Sequence, residues 1–322
     1  MAFDETTTAS QVVEAYKDVV EGKNIVITGV SPMSMGAEYV AALAAYAGSI
    51  IIATRSIERA EQAISEARRS YPQTVIRIVQ LDLTSGPSIH AAAAEINSFQ
   101  LPVHILVNNA IVVQPDSLVQ TKENFEIQIG GNHFGHFLFT SLIFSIIMAS
   151  RSAQWTPRIV NLTSAGAFWG GAIRWDDMHF TDRPSEYSKA LAYNQSKTAN
   201  ALFTLGLVKN FPDVVSLSVH PGLALGTNVG QKIPKSQLLS MGLINEDGTQ
   251  NIFQKSNAQA AATALFAAFD PTIASHNGAL LSDCNLGSVT IPFPIPEFFN
   301  SSIEAEKLWA FSEEAWKIKF GS

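Results

Sequence analysis

Residues 24–54 decide the fold class, and they read NIVITGVSPMSMGAEYVAALAAYAGSIIIAT. The two ends, Asn24–Thr28 and Ser49–Thr54, are short runs of mostly apolar residues, which are typical of strands buried on both faces. Between them lie a glycine-bearing turn over residues 28–36 and an alanine-rich stretch over 36–47 that predicts a helix. A strand, a helix and a second strand in this order predict a βαβ unit with parallel strands.

The same alternation continues through the rest of the chain. Further strands are predicted at residues 75–83, 103–108, 158–163, 214–220 and 278–282, and further helices at 57–70, 87–98, 122–150, 187–210, 256–269 and near 303–319. With right-handed crossovers this pattern predicts an α/β fold, a Rossmann-type doubly wound parallel sheet of about seven strands with helices on both faces. We expect one domain over residues 1–322, in which two stretches that interrupt the alternation, 165–186 and 223–255, form lids over the substrate.

The composition excludes several classes of protein. The chain has 322 residues, with 21 Lys and Arg against 28 Asp and Glu, and its net charge of −7 offers no general attraction to nucleic acid or anionic membranes. A single cysteine, Cys284, excludes an internal disulfide and fits a reducing, cytoplasmic location. The amino terminus lacks a basic start followed by an apolar run, so no secretory signal is predicted. Residues 127–150 carry no formal charge, but their first half holds polar residues and glycines, which favours a buried helix over a membrane span.

Open α/β sheets bind ligands at the carboxyl ends of their strands, and the first two strands end in candidate cofactor residues. A glycine-bearing turn that enters a helix can hold a pyrophosphate on backbone N–H groups. The two glycines of residues 28–36 fit an ordinary strand–turn–helix connection equally well, because their spacing is not the usual one. Arg55 follows the second strand, where a guanidinium suits the 2′-phosphate of NADP(H); the alternative is a surface arginine that binds nothing.

Tyr193 and Lys197 are four residues apart, on one face of a predicted helix. An ammonium beside a phenol lowers the pKa of the phenol, which can then donate a proton to a carbonyl oxygen or take one from an alcohol. Ser164 ends the fifth strand and can bond the same oxygen, and Asn132 places an amide inside an apolar helix, where it has to be bonded. Each of these residues also has a purely structural interpretation. Tyr193 and Lys197 would then be an exposed helix pair, Ser164 would cap a helix or turn, and Asn132 would be a buried asparagine with its hydrogen bonds satisfied.

Two histidines and the cysteine are candidates for metal binding or nucleophilic chemistry. His133 and His136 have no nearby Cys and no third ligand at a zinc-like spacing, so no metal site is predicted, and packing and hydrogen bonding beside the site are favoured. Cys284 has no basic or His neighbour in sequence, which favours a small buried residue over a nucleophile.

Nine motifs occur together, in a fixed order, between Lys23 and Lys317. They are TGVSPMSMG at 28–36, ATR at 53–55, LDL at 81–83, NNA at 108–110, NHFGHFLFT at 132–140, RIVNLTSAG at 158–166, AYNQSKTANALF at 192–203, HPG at 220–222 and LWAFSEEAWK at 308–317. In this set and order the chain resembles the short-chain dehydrogenase/reductase family, and within it the retinol-dehydrogenase-like branch, especially fungal members.

The resemblance implies a catalytic tetrad of Asn132, Ser164, Tyr193 and Lys197. It implies that Tyr193 is the general acid/base and that Ser164 orients the substrate oxygen. It also implies that Lys197 binds the nicotinamide ribose and lowers the pKa of Tyr193, and that Asn132 holds the water of a proton relay.

The resemblance further implies which residues bind the cofactor. Asp82 and Leu83 are expected beside the adenine, and Pro221, Gly222 and Thr227 on the nicotinamide side. Together with Tyr193 and Lys197, the implied contacts to NADP(H) are Gly29, Ser31, Met35, Gly36, Arg55, Asp82, Leu83, Asn108, Ala110, Pro221, Gly222 and Thr227.

Three features depart from the family's pattern. Met33 and Ser34 stand where similar members carry glycines, Ile111 stands where the family has glycine, and the segment from Gly222 to Thr227 is one residue longer than usual. The first two features place side chains where the backbone normally approaches the cofactor closely.

The expected reaction is NADPH-dependent reduction of a ketone or aldehyde, or oxidation of the matching alcohol. The lid stretches and the carboxyl end are rich in large aromatic residues, which either line a pocket for a bulky lipophilic substrate or pack the lids: Phe168, Trp169, Trp175, Phe180, Tyr187, Phe293, Phe298 and Phe299. A non-redox isomerase or cyclase on the same scaffold and a nucleotide-sensing regulator are the alternatives.

A homo-oligomer, in particular a dimer, is also expected. In the family's relatives the two helices that correspond to residues 122–150 and 187–210 pair across a subunit interface. The stretch Phe137–Met148 is apolar on most faces and has to be buried.

Overall fold

The fold is described by a computed structural model, which covers residues 3–113, 116–228, 230–240, 242–251, 253–287 and 294–322. Its strands are β1 (Asn24–Thr28), β2 (Ser49–Thr54), β3 (Val75–Gln80), β4 (Ile105–Asn108), β5 (Arg158–Leu162), β6 (Val215–His220), β7 (Leu280–Ser282) and β8 (Asn285–Leu286). Its helices are α1 (Ala9–Ala15), α2 (Lys17–Val20), α3 (Met35–Leu43), α4 (Ile57–Ser70), α5 (Gly86–Ser98), α6 (Ile127–Ile129), α7 (His136–Leu142), α8 (Phe144–Met148), α9 (Lys189–Asn210), α10 (Lys235–Ser240), α11 (Asn257–Phe269) and α12 (Ser302–Trp316).

The strands form one sheet in the order β3-β2-β1-β4-β5-β6-β7-β8. The first seven run parallel, and β8 is a short antiparallel addition at the edge. The direction of winding reverses between β1 and β4, which places the ligand crevice at the carboxyl ends of these two strands. The predicted α/β, Rossmann-type, doubly wound fold is confirmed, with one strand more than expected.

Helices cover both faces of the sheet, because alternate residues of each strand point to opposite sides. Ile25 and Ile27 of β1 belong to a core shared with α1, α3, α4 and α11. Val26, between them, packs into the second core with α5, α7 and α9. Both faces of the sheet are therefore buried away from water, as the continuous apolar strands indicated.

The third strand is shorter than predicted. It ends at Gln80 rather than at residue 83, because Asp82 starts a turn. Its carboxylate Oδ1 accepts hydrogen bonds from Thr84 N (2.9 Å) and Thr84 Oγ1 (2.7 Å), and its own N–H donates to Ser88 Oγ (2.9 Å). Local side-chain bonding of this kind competes with the β ladder.

The predicted helix over residues 122–150 is wrong in its continuity. It begins at Ile127, passes through a π-helical turn over Gly130–Gly135 and continues as α7 and α8. The π turn brings the backbone close to its neighbours: a Cβ atom on Gly135 would lie 2.2 Å from Leu83 O. Insertions of this type are frequent at functional sites.

The carboxyl-terminal helix α12 lies where an oligomer interface was expected. It packs along α9, and Trp309 contacts Gly206 so closely that a Cβ there would lie 2.6 Å from Trp309 Cε3. Its indole also packs against Phe137 of α7, with ring centroids 5.1 Å apart. The apolar face of these helices is thus buried within the chain itself, and the oligomer stays a prediction.

Two further points concern the periphery. The amino-terminal helices were not predicted, and α1 packs against α11 and α3. In the described parts of the chain, no helix combines the length and the apolar character needed to cross a membrane.

Candidate active site

Ser164 and Tyr193 border the same small space beyond the carboxyl end of β5. Ser164 follows the strand, and Tyr193 lies in the second turn of α9, which Ser188 caps by accepting from Leu191 N. Between them, a Cβ atom on Gly166 would lie 3.2 Å from Tyr193 Cε1 and 3.5 Å from Ser164 Oγ. The structure therefore brings together the two residues that the sequence assigned to one substrate oxygen.

The environment of Tyr193 favours the protonated phenol. Burial raises the pKa of Tyr193 above its usual value, and a hydrogen bond with the side chain of Ser164 acts in the opposite direction. At neutral pH the phenol therefore carries a proton that it can donate. The serine hydroxyl is held in turn by an N–H from Gly166, at 3.2 Å.

Lys197 lies one helical turn beyond Tyr193, with its ammonium 5.9 Å from the centroid of the phenol ring. Its Nζ donates to Leu162 O at 3.0 Å, and its backbone carbonyl accepts from Thr163 Oγ1 at 2.7 Å. Burial without a carboxylate partner among the described residues lowers the pKa of Lys197 to about 7. An ammonium has three N–H groups, so two remain for hydroxyl or carbonyl oxygens of a ligand.

Asn132 occupies the centre of the π turn, and its side chain is fully engaged with protein. Its Oδ1 accepts from Val112 N at 2.7 Å, and its Nδ2 donates to Val112 O at 3.2 Å and to Ser196 Oγ at 3.0 Å. The amide thus joins the loop after β4 to α9, which fits the satisfied buried asparagine. Any direct part in the chemistry falls to the backbone carbonyl of this residue.

His136 forms hydrogen bonds beside the site, which is the role that the sequence favoured for it. Its Nδ1 bonds to Asn132 O and its Nε2 to Thr28 Oγ1, both at 2.9 Å. A carbonyl can only accept, so Nδ1 carries the proton and Nε2 accepts from the threonine hydroxyl. Burial lowers the pKa of His136 to about 4, which keeps this neutral tautomer at physiological pH. The ring therefore connects the start of the glycine turn to the backbone of Asn132, and its i+4 spacing from Asn132 was the available signal.

His133 serves packing, as the sequence suggested. Its Nε2 lies 2.8 Å from Ser312 Oγ, whose own proton goes to Leu308 O at 2.7 Å. The imidazole thus donates to α12 and ties the π turn to it. Among the residues that the structure describes, no three His, Cys, Asp or Glu side chains group as a metal site would require.

The glycine turn packs tightly against the end of β4. A Cβ on Gly29 would lie 2.6 Å from Ala110 Cα, and one on Gly36 would lie 2.3 Å from Gly29 O. Asn109 donates to Thr28 O at 2.8 Å and to Gly29 O at 2.9 Å. These contacts require the two glycines and identify Asn109, which the sequence did not single out, as the residue that holds the turn to β4.

Met33 and Ser34 change the turn in two ways. Met33 has a φ of 56°, a left-handed conformation that favours glycine. The hydroxyl of Ser34 accepts from Ser31 N at 3.1 Å and from Ala37 N at 3.2 Å, and caps α3. Two of the backbone donors that would face a pyrophosphate are therefore already bonded to a side chain of the protein.

The segment after Gly222 reaches across to this turn. Asn228 N donates to Met33 O at 3.2 Å, and Asn228 Nδ2 donates to Pro32 O at 2.5 Å and to Ser31 Oγ at 3.3 Å. Thr227, expected to contact the nicotinamide side, donates to Ala224 O at 2.9 Å. The second predicted lid is thus bonded directly to the turn.

The other predicted cofactor residues lie along the same edge. Arg55 is exposed at the end of β2 and forms no ion pair with any residue that the structure describes. Asp82 is half-buried beyond β3, and Leu83 is buried against Gly135. Asn108 points into the core, where its Nδ2 donates to Asn161 Oδ1 at 2.9 Å, so only its backbone can face a ligand.

These residues fit a nicotinamide dinucleotide. The buried ammonium of Lys197 retains two N–H donors, and the Ser164–Tyr193 space lies beside it. Arg55 is an uncommitted cation at the opposite end of the same edge. Only the bonded N–H groups of the turn oppose the fit, and they affect one contact of several.

Aromatic residues of the first lid and of the carboxyl end pack within the protein. The side chains of Phe180 and Phe299 are 0% and 1% exposed, and Phe168 packs on Phe299 with ring centroids 5.0 Å apart. Trp175 donates to Glu304 Oε2 of α12 at 2.6 Å. The packing alternative therefore holds for these four, and Phe293 lies outside the described residues.

The second lid contains an apolar cluster of its own. Leu223 and Leu225, shortly after Gly222, are partly buried against a small cluster formed by Leu238, Leu243 and Ile244.

Cys284 is buried, and burial raises the pKa of its thiol to about 12, which agrees with a small packed residue and not with a nucleophile.

Comparisons with known proteins agree with this geometry. The profile of the family described as short chain dehydrogenase matches residues 23–174. Retinol dehydrogenase 12 of Mus musculus is 33% identical over 304 residues, which are 94% of this chain and 88% of that protein. Oxidoreductase fscI of Fusarium equiseti is 33% identical over 246 residues, covering 68% of this chain and 94% of that protein.

Solved structures share the fold at lower identity. The Pseudomonas aeruginosa RhlG/NADP active-site complex superposes with a TM-score of 0.61 at 18% identity, covering 83% of this chain and 96% of that one. A short-chain dehydrogenase/reductase from Serratia marcescens gives a TM-score of 0.61 at 19% identity, covering 82% and 97%.

Proposed function

Because the chain belongs to the short-chain dehydrogenase/reductase family, with retinol dehydrogenases among its relatives, we propose that it is an NADP(H)-dependent oxidoreductase. Its substrate is a bulky lipophilic ketone or aldehyde, or the matching alcohol. The observation that carries the proposal is the convergence of Ser164, Tyr193 and the buried Lys197 on one space at the carboxyl edge of the sheet.

The residues divide the work of proton transfer. Ser164 holds the carbonyl oxygen by a hydrogen bond, which places it beside the hydroxyl of Tyr193. NADP(H), when bound, supplies or accepts the hydride at the carbonyl carbon. Tyr193 gives its proton to the oxygen as negative charge develops there, and the positive charge of Lys197 stabilises the phenolate that remains. In the direction of oxidation the phenolate takes the proton back.

The cofactor preference is supported by Arg55. A guanidinium can form two parallel hydrogen bonds with a phosphate, and this one lies at the end of β2 without an acidic partner among the described residues. Lys197 has donors left for the ribose hydroxyls, as described above. NADP(H) is therefore proposed over NAD(H).

The lipophilic substrate is supported by the second lid and by the relatives. Leu223 and Leu225 follow Gly222 in the chain and are only partly buried, so part of their apolar surface stays exposed. Two proteins similar to this chain are named for retinol, a long apolar alcohol. A small polar substrate would leave this apolar surface in contact with water.

A non-redox reaction on the same scaffold is the second candidate, and the bonded N–H groups beside Ser34 favour it. These bonds weaken cofactor binding at the turn, and an enzyme that does not transfer hydride would tolerate weaker binding. A nucleotide-sensing regulator fits less well, because it has no need for the Tyr193 and Lys197 pair.

The test follows NADPH absorbance and product formation together, with retinaldehyde as the probe and a short aldehyde for comparison. We expect one NADPH oxidised per alcohol formed, and faster turnover of the larger aldehyde. Tyr193→Phe removes only the proton donor, so its turnover should fall roughly 10²- to 10⁴-fold while NADPH affinity stays within a few-fold.

Tyr46→Phe is the control, because this hydroxyl bonds to Glu14 on α1, away from the site. It should leave turnover unchanged. Product formed without loss of NADPH would establish the non-redox alternative, and full activity of Tyr193→Phe would remove the proposed role of this residue.

A further inference from the structure

A buried ion pair lies beneath the segment that follows β6. Lys255, just before α11, contacts the carboxylate of Asp283, just after β7, and the two side chains are 3% and 2% exposed. Removing two charges from water costs free energy that a single contact does not always recover. A pair buried this completely therefore calls for a reason beyond stability.

Asp283 lies in a tight turn, and its side chain is buried in the protein. Asp283 and Cys284 form the two-residue turn between β7 and β8, with φ of 53° and 55°. Such turns favour Asn, Asp and Gly, and a cysteine in this conformation costs free energy. The N–H of Cys284 donates to Thr263 Oγ1 of α11 at 3.2 Å, which holds the turn in place.

Lys255 contacts the segment assigned to the nicotinamide side. A Cβ atom on Gly222, whose φ is 82°, would lie 2.8 Å from Lys255 Cδ, so the lysine stem fills the space that only a glycine leaves open. The backbone N–H of Lys255 also donates to Leu223 O at 2.8 Å.

His220 extends the contact to the catalytic serine. Its Nδ1 accepts from the N–H of Ala165, the residue after Ser164, at 3.3 Å. Burial lowers the pKa of His220 to about 4, while the charges of Asp283 and Lys255 act on it in opposite directions. The ring is therefore neutral, and it lies between the ion pair and the loop that carries Ser164.

We infer that the Lys255–Asp283 pair is a positioning device for the nicotinamide end of the cofactor. It fixes Pro221 and Gly222 against the end of β6 and, through His220, sets the loop of Ser164. The inference rests on the proposed function. Arg55 and Asp82, at the adenosine end, lie beyond β2 and β3, on the other half of the sheet. Loosening the pair should therefore affect one end of the cofactor and spare the other.

The experiment compares two ligands, NADPH and 2′-phospho-ADP-ribose, which lacks the nicotinamide ring. The variants are Lys255→Met, Asp283→Asn and the double variant that combines them. The double variant leaves no unpaired buried charge. Its asparagine also tolerates the left-handed conformation of the turn. In the double variant we expect NADPH affinity to fall about ten-fold and 2′-phospho-ADP-ribose affinity to stay within two-fold of the unchanged protein. The single variants should lose at least as much NADPH affinity.

Asp213→Asn is the matched control, because Asp213 pairs with Arg151 on the exposed surface before β6. It should change neither affinity. Equal weakening of both ligands, unchanged NADPH binding, or failure of the double variant to fold would each overturn the inference. If the unchanged protein binds neither NADPH nor NADH, the proposed function fails and the inference fails with it.

Discussion

At the scale of single residues, Ser34 uses backbone N–H groups that could otherwise bind an anionic ligand. Its hydroxyl accepts the N–H groups of Ser31 and Ala37 at the amino end of α3, where helix N–H groups and the helix dipole favour an anion. A hydrogen bond to a charged oxygen is stronger than one to a hydroxyl. The residue therefore stabilises the free protein more than its complex with a pyrophosphate.

Ser34→Gly should release both donors and tighten NADPH binding by about three- to ten-fold, measured by fluorescence titration. The loss of the cap itself costs only a few tenths of a kcal/mol when glycine replaces serine. Ser301→Gly, which removes the corresponding cap of α12, is the control and should leave NADPH affinity unchanged. Weaker or equal binding by Ser34→Gly would contradict this account of the turn.

The proposed choice of NADP(H) over NAD(H) rests on Arg55. Arg55→Asp removes the guanidinium and places a carboxylate where a 2′-phosphate would bind, so KM for NADPH should rise at least about 30-fold. KM for NADH should stay the same or fall, because a carboxylate can accept from the free ribose hydroxyl. Arg69→Ala, which removes an exposed cation paired with Glu66, should change neither constant. Equal use of both cofactors by the unchanged protein would disprove the preference.

At the scale of elements, the second lid is attached to the glycine turn by Asn228. Three hydrogen bonds from this residue join the turn to the segment that leads on from Gly222 and Thr227. We expect a dinucleotide bound along this edge to lie between the two segments. Its release would therefore require these bonds to open.

Asn228→Ala removes the two side-chain bonds, so NADPH should dissociate faster by several-fold in stopped-flow displacement. Asn245→Ala is the control within the same lid, because its side chain donates to Thr249 Oγ1, four residues away, and to no other residue that the structure describes. An unchanged dissociation rate in Asn228→Ala would show that the lid does not limit release.

At the scale of the whole molecule, α12 covers the helices on which an oligomer was expected. Trp309, Phe320 and Phe203 pack with Phe137 in one aromatic cluster over α7 and α9. Gly321 N also donates to Ser141 Oγ at 2.9 Å. A dimer through α7 and α9 would have to displace α12, so another surface would have to supply any interface.

A chain that ends at residue 301 should expose this aromatic face and associate, and light scattering should show masses above that of the monomer. The full-length chain should not pair through α9, which hydrogen exchange on α9 can check at two protein concentrations. The same mass for both chains would contradict this account. Phe137→Ala in the truncated chain should reduce the association, because it removes apolar area from the exposed face.

The sequence by itself determined the fold class, and it supplied the candidates for the chemical residues. Apolar strands alternating with helices specify a parallel sheet wherever both faces are buried, and this pattern is local. The i, i+4 spacing of Tyr193 and Lys197 and the place of Ser164 after a strand made them candidates, and the resemblance carried by the nine motifs assigned them roles. Arg55 follows from the same rule about strand ends.

The tertiary structure alone decided how these residues are held. The π turn at Asn132 depends on the close approach of Gly135 to Leu83, and the neutral His136 depends on Thr28, more than 100 residues earlier. The packing of α12 over α9 and the meeting of Lys255 with Asp283 are likewise contacts between distant segments. Periodicity and spacing describe only neighbours along one element, so contacts of this kind leave no mark in the local pattern from which they could have been predicted.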